Sequence, residues 1–324
     1  MMDITKPPRL HEGDLVGVFS PSWPVTPNMK PQFDKGIESL QAMGLNVKLA
    51  EHSLGQFHYS AGTRAERLAD LHSLWRDPEV RMLLMTQGGS TAIQLLDGID
   101  YELIRENPKI LAGISDGTTL LNAVYARTGL ITYHGPDLLW TFGQEMTPQI
   151  QENIVNTFFH GDVGELRPNE NWKHQKRPEV QHSGWKCLRE GKASGRLVGG
   201  HIRVLANTIL AGYGPDFDGA ILFLEGTDDV SLTDRVINAL RLHGVYDSIE
   251  GLVLGWFEDS ELEEKELSRP VSDVFLESTE SYDFPILEIA ELGHNVENYV
   301  LPIGCRATVD ASMKRIRIDE PTVR

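Results

Sequence analysis

An α/β fold with a parallel sheet covered on both faces is predicted by two features of the sequence. Short apolar runs recur, some of them stopped by Gly, Ser or Pro. Patterns of helical period separate these runs. This rhythm of strand, helix and strand is what a parallel sheet covered on both faces requires. With 324 residues the chain is long enough for one large or two ordinary domains.

The elements follow in order. Leu15-Val16-Gly17-Val18-Phe19 reads as the first strand, stopped by Ser20-Pro21-Ser22. Phe33, Ile37, Leu40 and Met43 then recur at helical spacing, and Asn46 to Ala50 is a second strand. Thr63-Arg64-Ala65-Glu66 is a capping box opening a helix whose apolar face carries Leu68, Leu71 and Trp75. Arg81 to Met85 is a third strand, broken by Gly88-Gly89. Lys109 to Gly113 is a fourth, with a helix over Thr118 to Arg127 behind it. Leu130 to His134 is a fifth.

The composition changes near His160. The segment NENWKHQKRPEVQHSGWKCLREGK is polar and holds Trp172 and Trp185, and it reads as an interdomain connection with a long functional loop. We therefore expect one domain over residues 1–160, a connection over 161–190 and a second domain over 191–324. The second half resumes with Arg196 to Gly200, then strands at Ala220 to Leu224, Leu252 to Phe257, Phe284 to Ile289, Arg306 to Val309 and Arg315 to Ile318. Helices are expected at Leu232 to Leu242 and Val271 to Ser278, and the acidic run Glu261–Glu266 is a solvated face.

Lys plus Arg number 30 and Asp plus Glu 47, a net charge of −17. That balance argues against a nucleic acid polymer or an anionic membrane surface as partner. Two cysteines, Cys187 and Cys305, make no disulfide framework. No CxxC, HExxH or EF-hand spacing occurs, so no metal site is expected. The N-terminal residues lack the apolar core of a signal peptide, and a cytoplasmic protein is the expectation.

The clearest chemical signal is Gly113-Ile114-Ser115-Asp116-Gly117. It fits G-x-S-x-G, follows an apolar strand and precedes a helix, the context of a nucleophile elbow. The backbone N–H of Asp116 would face a developing oxyanion. An ordinary strand-to-helix turn capped by Ser115 or Asp116 is the alternative. Gln87-Gly88-Gly89-Ser90 also follows a strand; its N–H groups suit a second oxyanion donor, a phosphate cradle or a tight turn. Two histidines stand at strand ends as candidate bases, His294 and His134. Glu225 ends the run Ile221 to Leu224 and is a candidate orienting carboxylate or a structural one.

Five segments, VGVFSPSWP, LLMTQGGS, KILAGISDGT, AILFLEGTDD and GHNVENYVLPIGCRATVD, together resemble the LD-carboxypeptidase family of serine peptidases, which includes microcin C self-immunity peptidases. The resemblance spans Leu15 to Asp310. It implies a Rossmann-like N-terminal domain, a smaller C-terminal α/β domain, an active site between them and a homodimer. It implies Ser115 as nucleophile, His294 rather than His134 as base, Glu225 as its orienting carboxylate, and oxyanion donors from Asp116 and the Gly88-Gly89 turn. It implies no metal or organic cofactor. The chain departs from the family where Gly199-Gly200-His201 replaces Gly-Gly-Asn, at Ala211-Gly212 and at Ile114. These departures bear on substrate recognition, where His201, Trp172 and Trp185 are the candidate contacts. The family splits between release of D-alanine from muropeptides and cleavage of aminoacyl-nucleotide antibiotics. The Trp-bearing loop favours the second, because an aromatic face stacks on a nucleobase. A non-catalytic member that binds a nucleotide or peptide is the alternative of a different class.

Overall fold

The computed structural model describes residues 3–180 and 184–324. The chain forms two compact units. The first comprises Met1–Asp162, Tyr299–Gly304 and Pro321–Arg324, and the second Val163–Asn298 and Cys305–Glu320.

The first unit alternates strand and helix as the apolar runs predict: β1 (Leu15–Phe19), α1 (Lys30–Ala42), β2 (Asn46–Leu49), α2 (Arg64–Arg76), β3 (Val80–Met85), α3 (Tyr101–Glu106), β4 (Ile110–Gly113), α4 (Gly117–Thr128), β5 (Thr132–His134) and α5 (Pro148–Val155). The predicted capping box is present: Glu66 N–H donates to the Thr63 hydroxyl, and Thr63 N–H donates to Glu66 Oε2 at 2.7 Å. All of β4 and almost all of β1 and β3 is buried, which explains runs without polar alternation. Gly17 is glycine because a Cβ there would sit 2.9 Å from Leu74 of α2.

In the second unit the elements are β6 (Glu165–Leu166), β7 (Lys186–Arg189), β8 (Lys192–His201), α6 (Ile202–Leu210), β9 (Ala220–Gly226), α7 (Val230–Leu242), β10 (Gly251–Phe257), α8 (Val271–Ser278) and β11 (Ile286–Gly293). The chain then supplies β12 (Leu301–Ile303) to the first unit and β13 (Arg306–Asp310) and β14 (Arg315–Ile318) to the second.

The first sheet has the order β12-β5-β4-β3-β1-β2. Its strands β2, β1, β3, β4 and β5 run parallel, and β12 joins β5 antiparallel. The order reverses between β1 and β3, so the switch point at which open α/β sheets bind ligands lies at their carboxyl ends. The second sheet has the order β6-β14-β13-β8-β9-β10-β11-β7. Its centre, β8 to β11, is parallel, and the flanking strands are antiparallel.

The expected boundaries need correction. Residues 163–180 and 184–190 are no separate connection: β6 pairs with β14 and β7 with β11, so they build the second unit. Residues 181–183 of that expected connection lie outside the described residues. Conversely, the expected C-terminal domain gives up Tyr299–Gly304 to the first unit, because Leu301, Pro302 and Ile303 pair with His134, Tyr133 and Thr132. No helix among the described residues is long and apolar enough to cross a membrane.

Candidate active site

Ser115 follows β4 and precedes α4, at the carboxyl edge of the first sheet. Its φ is +61°, a left-handed conformation that costs an L-residue about 1–2 kcal/mol. Strain of this kind marks a strand-to-helix elbow that lifts the side chain out of the turn. The turn closes by Gly117 N–H donating to Ile114 O at 2.9 Å and Thr118 N–H to Ser115 O at 2.9 Å. Gly113 and Gly117 both press on Met85: a Cβ would stand 2.3 Å and 2.8 Å from its sulfur.

Gly88, in the turn after β3, passes directly over the serine. A Cβ on it would lie 2.5 Å from Ser115 Cβ, 2.7 Å from Ser115 Oγ and 3.1 Å from the Asp116 nitrogen. Two loops thus bring a backbone strap, a hydroxyl and a helix N-terminal amide together within one unit. Neither the Gly88 N–H nor the Asp116 N–H finds an acceptor among the described residues. Asp116 is the N-cap of α4, so its N–H also carries the positive end of the helix.

The second unit presents a carboxylate–imidazole pair, also at strand carboxyl ends. Glu225 lies one residue before the end of β9, and His294 directly follows β11. His294 Nδ1 and Glu225 Oε2 are 2.8 Å apart. Glu225 is fully buried and the His294 side chain is 25% exposed, so the imidazole has a solvent-facing edge and the carboxylate has none. The turn carrying His294 is fixed by Asn298. Gly293 N–H donates to its Oδ1 at 2.6 Å, and its Nδ2 donates to Gly293 O at 2.9 Å and Val296 O at 3.2 Å.

The competitor His134 is 0% exposed and sits inside the β4–β5–β12 ladder. His201, expected as a substrate contact, is 2% exposed. Its ring stands edge-on to that of His294 at 5.5 Å, and Nε2 lies 3.1 Å from the Thr227 hydroxyl. Burial pushes the His201 imidazole below its ordinary range, with the nearby Glu225 charge opposing, so a neutral ring packs beside the pair. The ring faces His294 and exposes almost no surface of its own.

The tryptophans separate. Trp185 is 2% exposed, and its Nε1–H donates to Glu291 Oε2 at 2.5 Å. Its ring is packed inside the second unit. Glu291, held also by Asn169 N–H at 2.6 Å, is pushed above the usual carboxyl range by burial despite those donors. Trp172 remains part-exposed; its Nε1–H donates to Ala290 O at 2.9 Å and its ring lies 5.6 Å from that of Trp256.

Sequence reasoning overlooked a further hub in this unit, Glu258. It accepts from His174 Nε2 at 2.9 Å, Trp256 Nε1 at 2.5 Å and Arg177 Nη2 at 2.7 Å. His174 Nδ1 accepts the N–H groups of Lys176 and Arg177 at 3.2 and 2.9 Å, which places the ring proton on Nε2, toward the carboxylate. Gln175 N–H donates to Asn295 O at 2.7 Å, joining this segment to the turn that carries His294. No local pattern in the sequence signals His174 and Arg177 as partners of Glu258, from which they lie 84 and 81 residues away.

Comparison with known proteins accounts for both halves of this arrangement. The "LD-carboxypeptidase N-terminal domain" matches residues 16–135, and the "LD-carboxypeptidase C-terminal domain" matches residues 194–309. A probable murein peptide carboxypeptidase of Bacillus subtilis is 32% identical over 316 residues, covering 97% of this chain and 94% of the relative. The microcin C7 self-immunity protein MccF of Escherichia coli is 30% identical over 324 residues, covering 95% and 94%. A solved structure of MccF in complex with aspartyl sulfamoyl adenosine has a TM-score of 0.89 at 28% identity and covers 99% of this chain and 100% of that one. With an elbow serine in the part that matches the N-terminal domain, a carboxylate–imidazole pair in the part that matches the C-terminal domain, and relatives aligned from end to end, the chain belongs to the LD-carboxypeptidase family of serine peptidases.

Proposed function

We propose that this chain is a serine hydrolase that cleaves an amide bond through an acyl-enzyme, with Ser115 as nucleophile, His294 as general base and Glu225 as the carboxylate that orients it. The observation that carries the reading is the left-handed elbow at Ser115 beneath Gly88, together with a 2.8 Å His294–Glu225 contact in the other unit. With Nδ1 engaged by Glu225, His294 uses Nε2 to take the Ser115 hydroxyl proton as Oγ attacks the amide carbonyl carbon. The carbonyl π electrons move to oxygen, and the Asp116 and Gly88 N–H groups stabilise that oxyanion, a contribution of about 3 kcal/mol per donor. When the tetrahedral species collapses, the C–N bond breaks and His294 gives its proton to the departing nitrogen. Water, deprotonated by the same imidazole, then hydrolyses the ester.

The substrate class we favour is an aminoacyl group joined to a nucleotide-like moiety, with antibiotic detoxification as the role. Two things support it: the end-to-end likeness to a self-immunity protein solved with aspartyl sulfamoyl adenosine, and the part-exposed Trp172, on which a base would gain about 1–3 kcal/mol by stacking. The second reading is D-alanine release from muropeptide tetrapeptides, favoured by the murein peptide carboxypeptidase relative at 32% identity. Parallel assays decide. The expected result is cleavage of aspartyl sulfamoyl adenosine at the amide, followed by chromatography of the released sulfamoyl nucleoside. Release of D-alanine alone overturns the nucleotide reading.

Gly88→Ala is expected to lower kcat by about 10²-fold or more. The methyl would occupy space 2.7 Å from Ser115 Oγ, and crowding of this kind also costs about 1–3 kcal/mol of stability. Turnover and thermal melts of the variant check both parts.

A further inference from the structure

The chemistry above uses the Asp116 N–H but leaves its carboxylate unexplained. That carboxylate is buried, at 4% exposure, and anchors a polar network under the oxyanion strap. The Ser22 hydroxyl, 0% exposed, donates to Asp116 Oδ2 at 2.6 Å. The Ser22 oxygen accepts the N–H groups of Ser90 and Thr91 at 2.8 and 2.9 Å, and Asp116 Oδ2 also accepts Ala92 N–H at 2.8 Å. Three successive amides of the strap therefore turn inward, two to the Ser22 oxygen and one to the Asp116 carboxylate that holds it.

Arg67, 2% exposed, closes the network from below. Its Nη1 donates to Pro21 O at 2.6 Å, to Thr91 O at 3.1 Å and to the Thr91 hydroxyl at 3.0 Å, while Nη2 donates to Gln94 Oε1 at 2.5 Å and Nε to Gly62 O at 3.1 Å. Among the described residues no carboxylate touches this guanidinium directly. Burial pulls its pKa down, and the Asp116 charge works against that. The backbone adds one more tie, Trp23 N–H to Gly88 O at 3.2 Å. The loops after β1, β3 and β4 are thereby bonded to one another through Ser22, Asp116 and Arg67.

We propose that Ser22, Arg67 and the Asp116 carboxylate are positioning groups that set the spacing between the Gly88 and Asp116 N–H donors, so that the oxyanion hole exists before substrate arrives. The two donors belong to loops after different strands, and no ladder hydrogen bond holds those loops in register. Catalytic donors must be kept within about 0.5 Å of their working positions. A buried charged network rigidifies when every member is satisfied, and here the inward amides, the hydroxyl and the guanidinium all have partners. Asp116 thus serves twice, its N–H facing the reacting oxygen and its carboxylate holding the opposite donor in place.

The inference rests on Ser115 being the nucleophile, and its test separates the two. Ser22→Ala and Arg67→Lys, each with a melting curve, are compared with wild type for fluorophosphonate labelling at Ser115, read by mass spectrometry over a range of probe concentrations. The phosphonyl oxygen needs the same donors as the oxyanion. The maximal labelling rate is expected to fall about 10- to 100-fold in Ser22→Ala and less in Arg67→Lys, with the half-saturating probe concentration unchanged. Ser22→Thr, which keeps the hydroxyl, is expected to recover most of the rate. Labelling at the wild-type rate in both Ser22→Ala and Arg67→Lys overturns the positioning role while leaving the nucleophile intact. A loss that moves rate and half-saturation together, in proportion to the drop in melting temperature, also overturns it. Should Ser22→Ala not fold, Arg67→Lys decides by the same comparison. Wild type that labels no faster than Ser115→Ala overturns the hydrolase reading and this inference with it.

Discussion

Ser115→Ala is expected to lower kcat by about 10⁴- to 10⁶-fold while KM changes little, because in the proposed mechanism the hydroxyl forms a bond to substrate and contributes little to binding it. A companion substitution sharpens the test. The left-handed backbone at Ser115, φ +61°, costs an L-residue about 1–2 kcal/mol, and glycine's greater unfolded-state freedom takes back about 0.5–1 kcal/mol. Ser115→Gly should therefore be equally inactive yet slightly more stable than Ser115→Ala. Calorimetry of the two variants reads the strain, and turnover reads the chemistry. Wild-type turnover in Ser115→Ala removes the nucleophile. A Ser115→Gly variant less stable than Ser115→Ala removes the claim that the elbow stores strain for function.

Glu225→Gln carries the second largest expected effect, a fall in kcat on the order of 10³- to 10⁴-fold with the fold preserved. The substitution is isosteric in a fully buried place. A glutamine amide can face His294 Nδ1 with either end. Where NH₂ meets the ring, it stabilises the tautomer whose proton sits on Nε2, the nitrogen that must accept the serine proton. Where its oxygen meets Nδ1–H, the negative charge that balances the imidazolium is still missing. Both orientations remove transition-state stabilisation and neither alters substrate contacts, so KM should hold. Nitrogen chemical shifts of the His294 ring would report the tautomer directly. Turnover of Glu225→Gln near wild type would show that Glu225 is a structural partner only.

Several elements were legible because their signals are local. Apolar runs marked β1, β3, β4, β9 and β10, and the capping box marked the start of α2. The elbow at Ser115 was legible for the same reason: strand, tight turn and helix N-terminus lie within a few residues. Other features are set by partners distant in the chain. The strand expected at Phe284 to Ile289 runs over Ile286–Gly293, and the polar Glu291 within it is buried and satisfied by Asn169 and Trp185. The polar segment around Trp172 read as a connection because its charged and aromatic side chains find their partners in Glu258, Ala290 and Glu291. Strand β12, three residues long with Pro302 at its centre, has no signal of its own and exists through pairing with β5.

By itself the sequence determined the α/β class, the elbow serine and the strand-end positions of Glu225 and His294, because each depends on hydrophobic runs and turn residues close together in the chain. Only the tertiary structure decided which polar groups are satisfied. It placed Trp185 and His201 inside, left Trp172 part-exposed, set Gly88 against Ser115, and gathered Ser22, Arg67 and Asp116 beneath the strap. The physical reason is that a buried hydrogen bond depends on distance in space, and residues 22, 91 and 116, in loops after three different strands, meet residue 67 of α2 only when the sheet and that helix pack together.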